Sequence, residues 1–132
     1  MSADHLRDRG SSPVELAILA PAVLLALFAS IQVAAVFMAR SVALSAAQEA
    51  STAERAYTAP PGAGEDRGRS FLARAGDWLS DGEVTVERDG QQVTTTVTGQ
   101  AISLIPGFTF TVSQTSRGEV ERFTTDEEAG GP

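Results

Sequence analysis

Residues 16–39 read LAILAPAVLLALFASIQVAAVFMA, with no charged side chain and only Ser30 and Gln32 as polar interruptions. As an α-helix this run would span roughly 36 Å, more than the roughly 30 Å hydrocarbon core of a bilayer. A globular helix so uniformly apolar would need a large protein around it, and only residues 40–132 follow. The run therefore predicts a transmembrane helix.

The helical pattern extends beyond the apolar run. Residues 41–57, SVALSAAQEASTAERAY, are rich in alanine and contain no Gly or Pro, which favours one continuous helix from Pro13 to Tyr57. Pro21 has no N–H to donate to the carbonyl of Ala17, so we expect a kink there. Residues 58–68, TAPPGAGEDRG, combine Pro, Gly and charge and are typical of a linker.

The remaining sequence predicts a small α+β domain over residues 69–123. The stretch RSFLARAGDWL, residues 69–79, has apolar residues at helical spacing; we expect Trp78 in its core, with a membrane-interface anchor as the alternative. Beyond it the period changes to two, and Asp89-Gly90 is a hairpin signal. We expect three or four antiparallel strands, at residues 83–87, 92–98, 108–113 and, more weakly patterned, 119–123. Such a core is marginal alone, so packing on the long helix or on neighbouring subunits is expected.

Composition narrows the function classes. There is no cysteine, His5 is the single histidine, and the net charge of −7 argues against nucleic acid as a partner. We therefore expect no catalytic site, cofactor, metal or small-molecule substrate. An acidic group around the first hairpin could bind Ca²⁺, although a solvated acidic face is favoured; it comprises Asp77, Asp81, Glu83, Glu87 and Asp89.

The flanking charges favour one orientation in the membrane. Arg7 and Arg9 precede the apolar run, and positively charged short flanks favour the cytoplasmic side. The N-terminus is therefore predicted to be cytoplasmic and the domain after residue 41 extracytoplasmic. The tail at residues 124–132 is acidic and Gly-ended, which predicts disorder.

Glu15 lies at the edge of the apolar run, and local physics alone can explain it. Ser12 could cap a helix whose first residue is Pro13, with Glu15 three residues after the cap. The positive end of the helix dipole also stabilises a carboxylate at this position, typically by about 0.3–1 kcal/mol.

The whole N-terminal string has a second interpretation. A polar leader with two arginines ends in Gly10, Glu15 follows five residues later, and the apolar run begins at once. The segment RGSSPVELAILAP resembles the start of the TadE-like family, small pilin-like (pseudopilin) proteins of the tight-adherence (Tad) type IV pilus assembly system. The residues that match the family pattern are Arg9, Gly10, Ser11, Val14, Glu15 and Pro21; Pro13 departs from it.

The resemblance implies a minor pilin-like subunit or assembly component in the bacterial cytoplasmic membrane. Residues 1–10 would be a leader removed by a prepilin peptidase between Gly10 and Ser11, leaving the helical segment 11–57. Glu15 would neutralise the new amine of a neighbouring subunit during assembly. The implied partners are the peptidase, other pilin-like subunits and the pilus assembly platform.

Two alternatives stay open. The chain could be a single-pass anchored protein whose extracytoplasmic domain binds a partner, or a secreted domain cut after Ala35 from a signal peptide. Against the second, the apolar run exceeds the usual 7–15 residues of a signal-peptide core.

Overall fold

A computed structural model describes residues 2–56 and 58–120, with side chains from Ser12 onward. It has the predicted α+β class: a long N-terminal helix, a short helix and a three-stranded antiparallel sheet. The elements are α1 (Ser2–Arg55), α2 (Ala63–Arg74), β1 (Leu79–Asp89), β2 (Gln92–Ala101) and β3 (Phe110–Glu119). The chain divides into two compact units, Met1–Ala34 and Ala35–Pro132.

Helix α1 begins eleven residues before the predicted start at Pro13, because it starts at Ser2. The stretch before Gly10 contains good helix formers such as Ala3 and Leu6, so the helix extends through the leader. Ser12 consequently lies inside the helix, and the predicted N-cap at Ser12 is wrong for the uncleaved chain. The helix ends at Arg55, while the predicted end at Tyr57 lies outside the described residues.

In the second unit, α1 packs its alanines against the sheet. From residue 35 on, one face of the helix is buried at intervals of three or four residues, and its alanines are at most 5% exposed: Ala35, Ala39, Ala43, Ala46, Ala47 and Ala50. Opposite them lie Val84, Val97 and Val112 in the same apolar cluster. Methyl side chains let the helix approach the sheet closely, and the expected packing on the long helix is confirmed.

Helix α2 lies earlier in the chain than predicted. It begins at Ala63, within the expected linker, after Gly62 at φ 82°, and it ends at Arg74 rather than continuing to residue 79. Gly76 has φ 88°, a left-handed conformation that ends the helical geometry. Trp78 is therefore outside the helix and 40% exposed, not the buried core aromatic that the spacing favours.

Glycine allows α2 to approach the rest of the unit. A Cβ added at Gly68 would lie 2.9 Å from Val84 Cγ1 and 3.2 Å from Ala50 Cβ, closer than packed atoms allow. A Cβ added at Gly64 would lie 2.8 Å from the Ala50 carbonyl oxygen. The glycines that make residues 58–68 resemble a linker thus permit close helix packing.

The sheet has the order β1-β2-β3 and is antiparallel throughout. The predicted hairpin is confirmed: Asp89 pairs with Gln92, and Gly90 between them has φ 62°. The third strand runs from Phe110 to Glu119, later than predicted, and therefore includes the first residue of the weak fourth strand. Val120, the second residue of that predicted strand, is described and lies just after β3, whereas residues 121–132, which include its last three residues and the acidic tail, lie outside the described part of the chain.

Candidate anchoring and assembly site

The first unit presents an exposed apolar helix surface over residues 12–31. Every side chain from Ser12 to Ile31 is exposed, and Leu25 and Ile18 are 70% and 69% exposed. Within the described residues, α1 is the one helix long and apolar enough to cross a membrane, and 17% of its most apolar window is buried. An exposed apolar surface of this length requires lipid or other helices around it.

Glu15 is the charged residue at the start of this surface. Its side chain is exposed between Val14 and Leu16, which are 61% and 66% exposed. Ser11 lies four residues earlier in the same helix. The Ser11 side chain lies outside the described residues, and the helical backbone passes through the Gly10–Ser11 bond.

Two prolines lie inside α1, Pro13 and Pro21. Each lacks the N–H that would bond four residues back, so Pro13 leaves the Arg9 carbonyl without that helical partner. If the chain began at Ser11, Pro13 would lie in the first turn, where the backbone N–H has no helical acceptor in any case. The expected kink at Pro21 stays a prediction.

The second unit contains an ionic contact that sequence reasoning missed. Glu54, 7% exposed, accepts hydrogen bonds from Arg88 Nε at 3.0 Å and from the Gly64 backbone N–H at 2.8 Å. Arg88 Nη2 also donates to the Glu54 carbonyl at 2.7 Å. One carboxylate thereby joins α1, α2 and β1. Nothing local in the sequence indicates this contact, because Glu54 and Arg88 are 34 residues apart.

A second contact, made by Arg55, lies next to the Glu54 contact in the second unit. Arg55 Nε donates to the Glu119 carbonyl at 2.6 Å, joining the end of α1 to the end of β3. The Arg67–Glu49 pair at 3.0 Å is more exposed, with 55% and 42% of the two side chains accessible. These contacts hold the elements of the unit together.

An open cleft of about 390 Å³ lies beside Glu54 and Arg88, and it is also lined by Pro61, Gly62 and Glu65. Its charged groups already have partners: Glu54 pairs with Arg88, and Glu65 lies 3.6 Å from Arg69. The cleft is therefore explained by the packing of α1, α2 and β1.

The acidic residues around the first hairpin do not converge. Glu83, Glu87 and Asp89 are exposed positions along β1. Within residues 2–56 and 58–120 the structure has no group of three or more His, Asp or Glu side chains that could hold a metal ion. The arrangement is that of a solvated strand.

In the part of the chain that the structure describes, the fold and this site define a protein with one candidate membrane-spanning helix that continues into a small α+β domain. The family model described as TadE-like protein matches residues 10–52, which confirms the resemblance seen in the N-terminal motif. The match begins at Gly10 and covers Glu15, the apolar run and most of the alanine-rich extension. The match covers about a third of the chain and suggests an association with the Tad pilus machinery. No curated protein and no solved structure has significant similarity to the chain.

Proposed function

We propose that this chain is a minor pilin-like subunit or assembly component of a Tad-type pilus. It is inserted in the bacterial cytoplasmic membrane with its N-terminus cytoplasmic, and a prepilin peptidase removes residues 1–10. The domain from residue 41 onward is extracytoplasmic. Its partners are other pilin-like subunits and the assembly platform, and its role is non-catalytic.

The observation that carries the proposal is the position of Glu15 at the start of an exposed apolar helix, inside the segment that matches the TadE-like family. The side chains from Leu16 to Phe28 offer a surface that lipid covers in the membrane and that neighbouring helices could cover in an assembly. Such a surface has no preferred axial register of its own. A single charge at one end of it supplies a register.

Cleavage creates the charge that Glu15 can neutralise. Hydrolysis of the Gly10–Ser11 bond leaves a positively charged amine on Ser11 at the start of an apolar helix. An unpaired charge within a membrane costs roughly 3 kcal/mol on insertion scales. The Glu15 carboxylate of a neighbouring subunit would offset that cost in one stagger of the two helices and not in others. The pair therefore contributes specificity of assembly more than stability.

Pro13 also fits a processed chain better than an intact one. In the uncleaved helix it interrupts the backbone hydrogen bonding between the leader and the apolar run. After cleavage it becomes the third residue, in the first helical turn, where proline is well tolerated. The one departure from the family pattern thus favours a helix that starts at Ser11.

Substitution of Glu15 tests the assembly role. Glu15→Gln keeps the size of the side chain and the ability of a Glu or Gln to complete a capping box, but removes the charge. We expect Glu15→Gln and Glu15→Ala to insert in the membrane as wild type does and to be lost from the sheared pilus fraction of Tad-positive cells. Glu15→Asp serves as the control that retains charge.

Two outcomes of these substitutions would contradict the assembly role of Glu15. Normal incorporation of Glu15→Gln would show that charge at this position is dispensable and would leave helix capping as the explanation of Glu15. Normal processing, with no association of any variant or of wild type with pilus components, would instead favour a membrane-anchored protein whose outer domain binds another partner.

A further inference from the structure

One end of the sheet carries exposed apolar side chains that the proposed function does not use. They lie just before β1 and in the loop between β2 and β3, and are called here the apolar rim: Trp78, Ile102, Leu104, Ile105 and Phe108. Phe108 is 63% exposed, and each of the others is 40% exposed. The opposite end of the sheet, at Asp89 and Gln92, is polar.

The direction of β1 relative to the second-unit part of α1 locates this rim. Arg88 contacts Glu54, and Val84 lies beside Ala50 across Gly68. The chain therefore runs in the same direction along β1 as along this part of α1. Leu79 pairs with Ala101 and Val84 with Val97, which are four residues apart on β2, because β1 has a register shift between Ser80 and Glu83. The separation is therefore about 13 Å, which corresponds to about nine residues of helix.

This estimate places the start of β1 level with about Ser41, at the end of the apolar run. Leu79 and its strand partner Ala101 belong to the buried cluster that extends along α1 from Ala39 to Ala50. Ala39 is the last residue of the apolar run, and Arg40, the first charge after it, is exposed. The rim loop, which continues beyond Ala101, therefore lies where composition places the boundary between membrane and water.

We propose that the apolar rim inserts in the interfacial region of the same bilayer that α1 crosses, on its extracytoplasmic side. The inference rests on the membrane-spanning part of the proposed function and not on cleavage or assembly. A lipid surface is the occupant because the rim is adjacent to the end of the span. Tryptophan is also a preferred residue at membrane interfaces.

The loop backbone is suited to such a surface. The Phe108 N–H donates to the Ile105 carbonyl at 3.3 Å across Pro106 and Gly107, and Gly107 has φ 83°, as a type II turn requires. Ser103 Oγ donates to the Ile105 carbonyl at 2.9 Å and accepts from the Ile105 N–H at 3.3 Å. The Phe108 N–H and both backbone groups of Ile105 are thus bonded within the loop, which lowers the cost of moving them out of water.

Tryptophan fluorescence tests the proposal, because Trp78 is the only tryptophan. The full chain would be reconstituted in phosphatidylethanolamine–phosphatidylglycerol vesicles with and without brominated acyl chains. We expect Trp78 to emit at shorter wavelength than in water and to be quenched by brominated lipid. In a Trp78→Phe background, a Phe108→Trp reporter should be quenched more strongly, and a Gln92→Trp reporter at the polar end of the sheet should not be quenched.

Two results would overturn the proposal. Rim reporters that behave like the Gln92→Trp control would mean that the loop lies in water. Short-wavelength emission that brominated lipid leaves unchanged would mean that a protein, such as a second copy, covers the rim. A Leu25→Trp reporter separates the causes: if it is quenched while the rim is not, the rim proposal alone fails, and if it is also unquenched, the membrane span fails as well.

Discussion

At the residue scale, Glu54 shows how one buried carboxylate organises the second unit. Its two oxygens accept from Arg88 and from the Gly64 N–H, and its backbone carbonyl accepts from Arg88 as well. Arg88 approaches from the solvent side, with 45% of its side chain exposed. Removal of Arg88 leaves a buried carboxylate without its charged partner, which is more costly than removal of an exposed pair.

Arg88→Ala is therefore expected to lower the free energy of unfolding by about 2–3 kcal/mol. The matched control is Arg67→Ala, whose partner Glu49 is exposed and whose loss should cost about 0–1 kcal/mol. Both can be measured by denaturant unfolding of the full chain in detergent, followed by Trp78 fluorescence. Equal destabilisation by the two substitutions would contradict a structural role for the Glu54 contact.

Gly10 carries the residue-scale prediction for processing. A peptidase that cuts after Gly10 must accommodate the residue next to the scissile bond, so Gly10→Leu should block removal of the leader. Ala3→Leu, an equally bulky change within the leader, should be processed normally. Intact-mass spectrometry of the membrane-extracted chains distinguishes the two, and a Gly10→Leu chain with the wild-type mature mass would exclude this cleavage site.

At the scale of elements, α1 combines two kinds of helix in one continuous segment. The part of α1 in the first unit is exposed on all sides from Ser12 to Ile31. From Ala35 onward, one face of the helix is buried in the second unit. The change coincides with a change in composition, from Leu, Ile and Phe to Ala. Large side chains present surface to lipid or to other helices, and small ones admit the close approach of a sheet.

Ala43 tests this difference. It is completely buried, and a larger side chain there would have to displace the sheet. Ala43→Leu is expected to destabilise the second unit by about 1–3 kcal/mol through overpacking. Gln48→Leu, on the exposed side of the same helix, should change stability by less than about 0.5 kcal/mol. If Ala43→Leu is as well tolerated as Gln48→Leu, the alanine face does not pack as described.

The elements also show what could be predicted from sequence. The apolar run, the Asp89–Gly90 hairpin and the alternating strands have strong local signals, and the structure contains all of them. The first and last residues of the two helices are not specified by these local signals. Helix α1 extends through Gly10 and Pro13, and α2 stops before Gly76, although the apolar spacing continues to Leu79. The left-handed backbone conformation of Gly76 ends α2 there, even though the helical spacing of apolar residues continues.

At the scale of the whole molecule, the sequence locates the candidate assembly site better than the contacts of the outer domain. Gly10, Ser11 and Glu15 lie within one six-residue segment that can be recognised without a structure, and the family match begins at Gly10. The contact between Glu54 and Arg88 and the level of the apolar rim arise from tertiary packing. They depend on which faces of α1, α2 and β1 meet, and no local pattern specifies that.

The N-terminal residue of the protein isolated from the membrane of Tad-positive cells tests the central claim most directly. The proposal predicts a chain that begins at Ser11, with a mass lower than that of the full sequence by residues 1–10. A chain that begins at residue 1 or 2 would contradict processing and indicate an uncleaved anchor. A chain that begins at Val36 would contradict the membrane-anchored pilin-like subunit altogether and indicate a secreted domain.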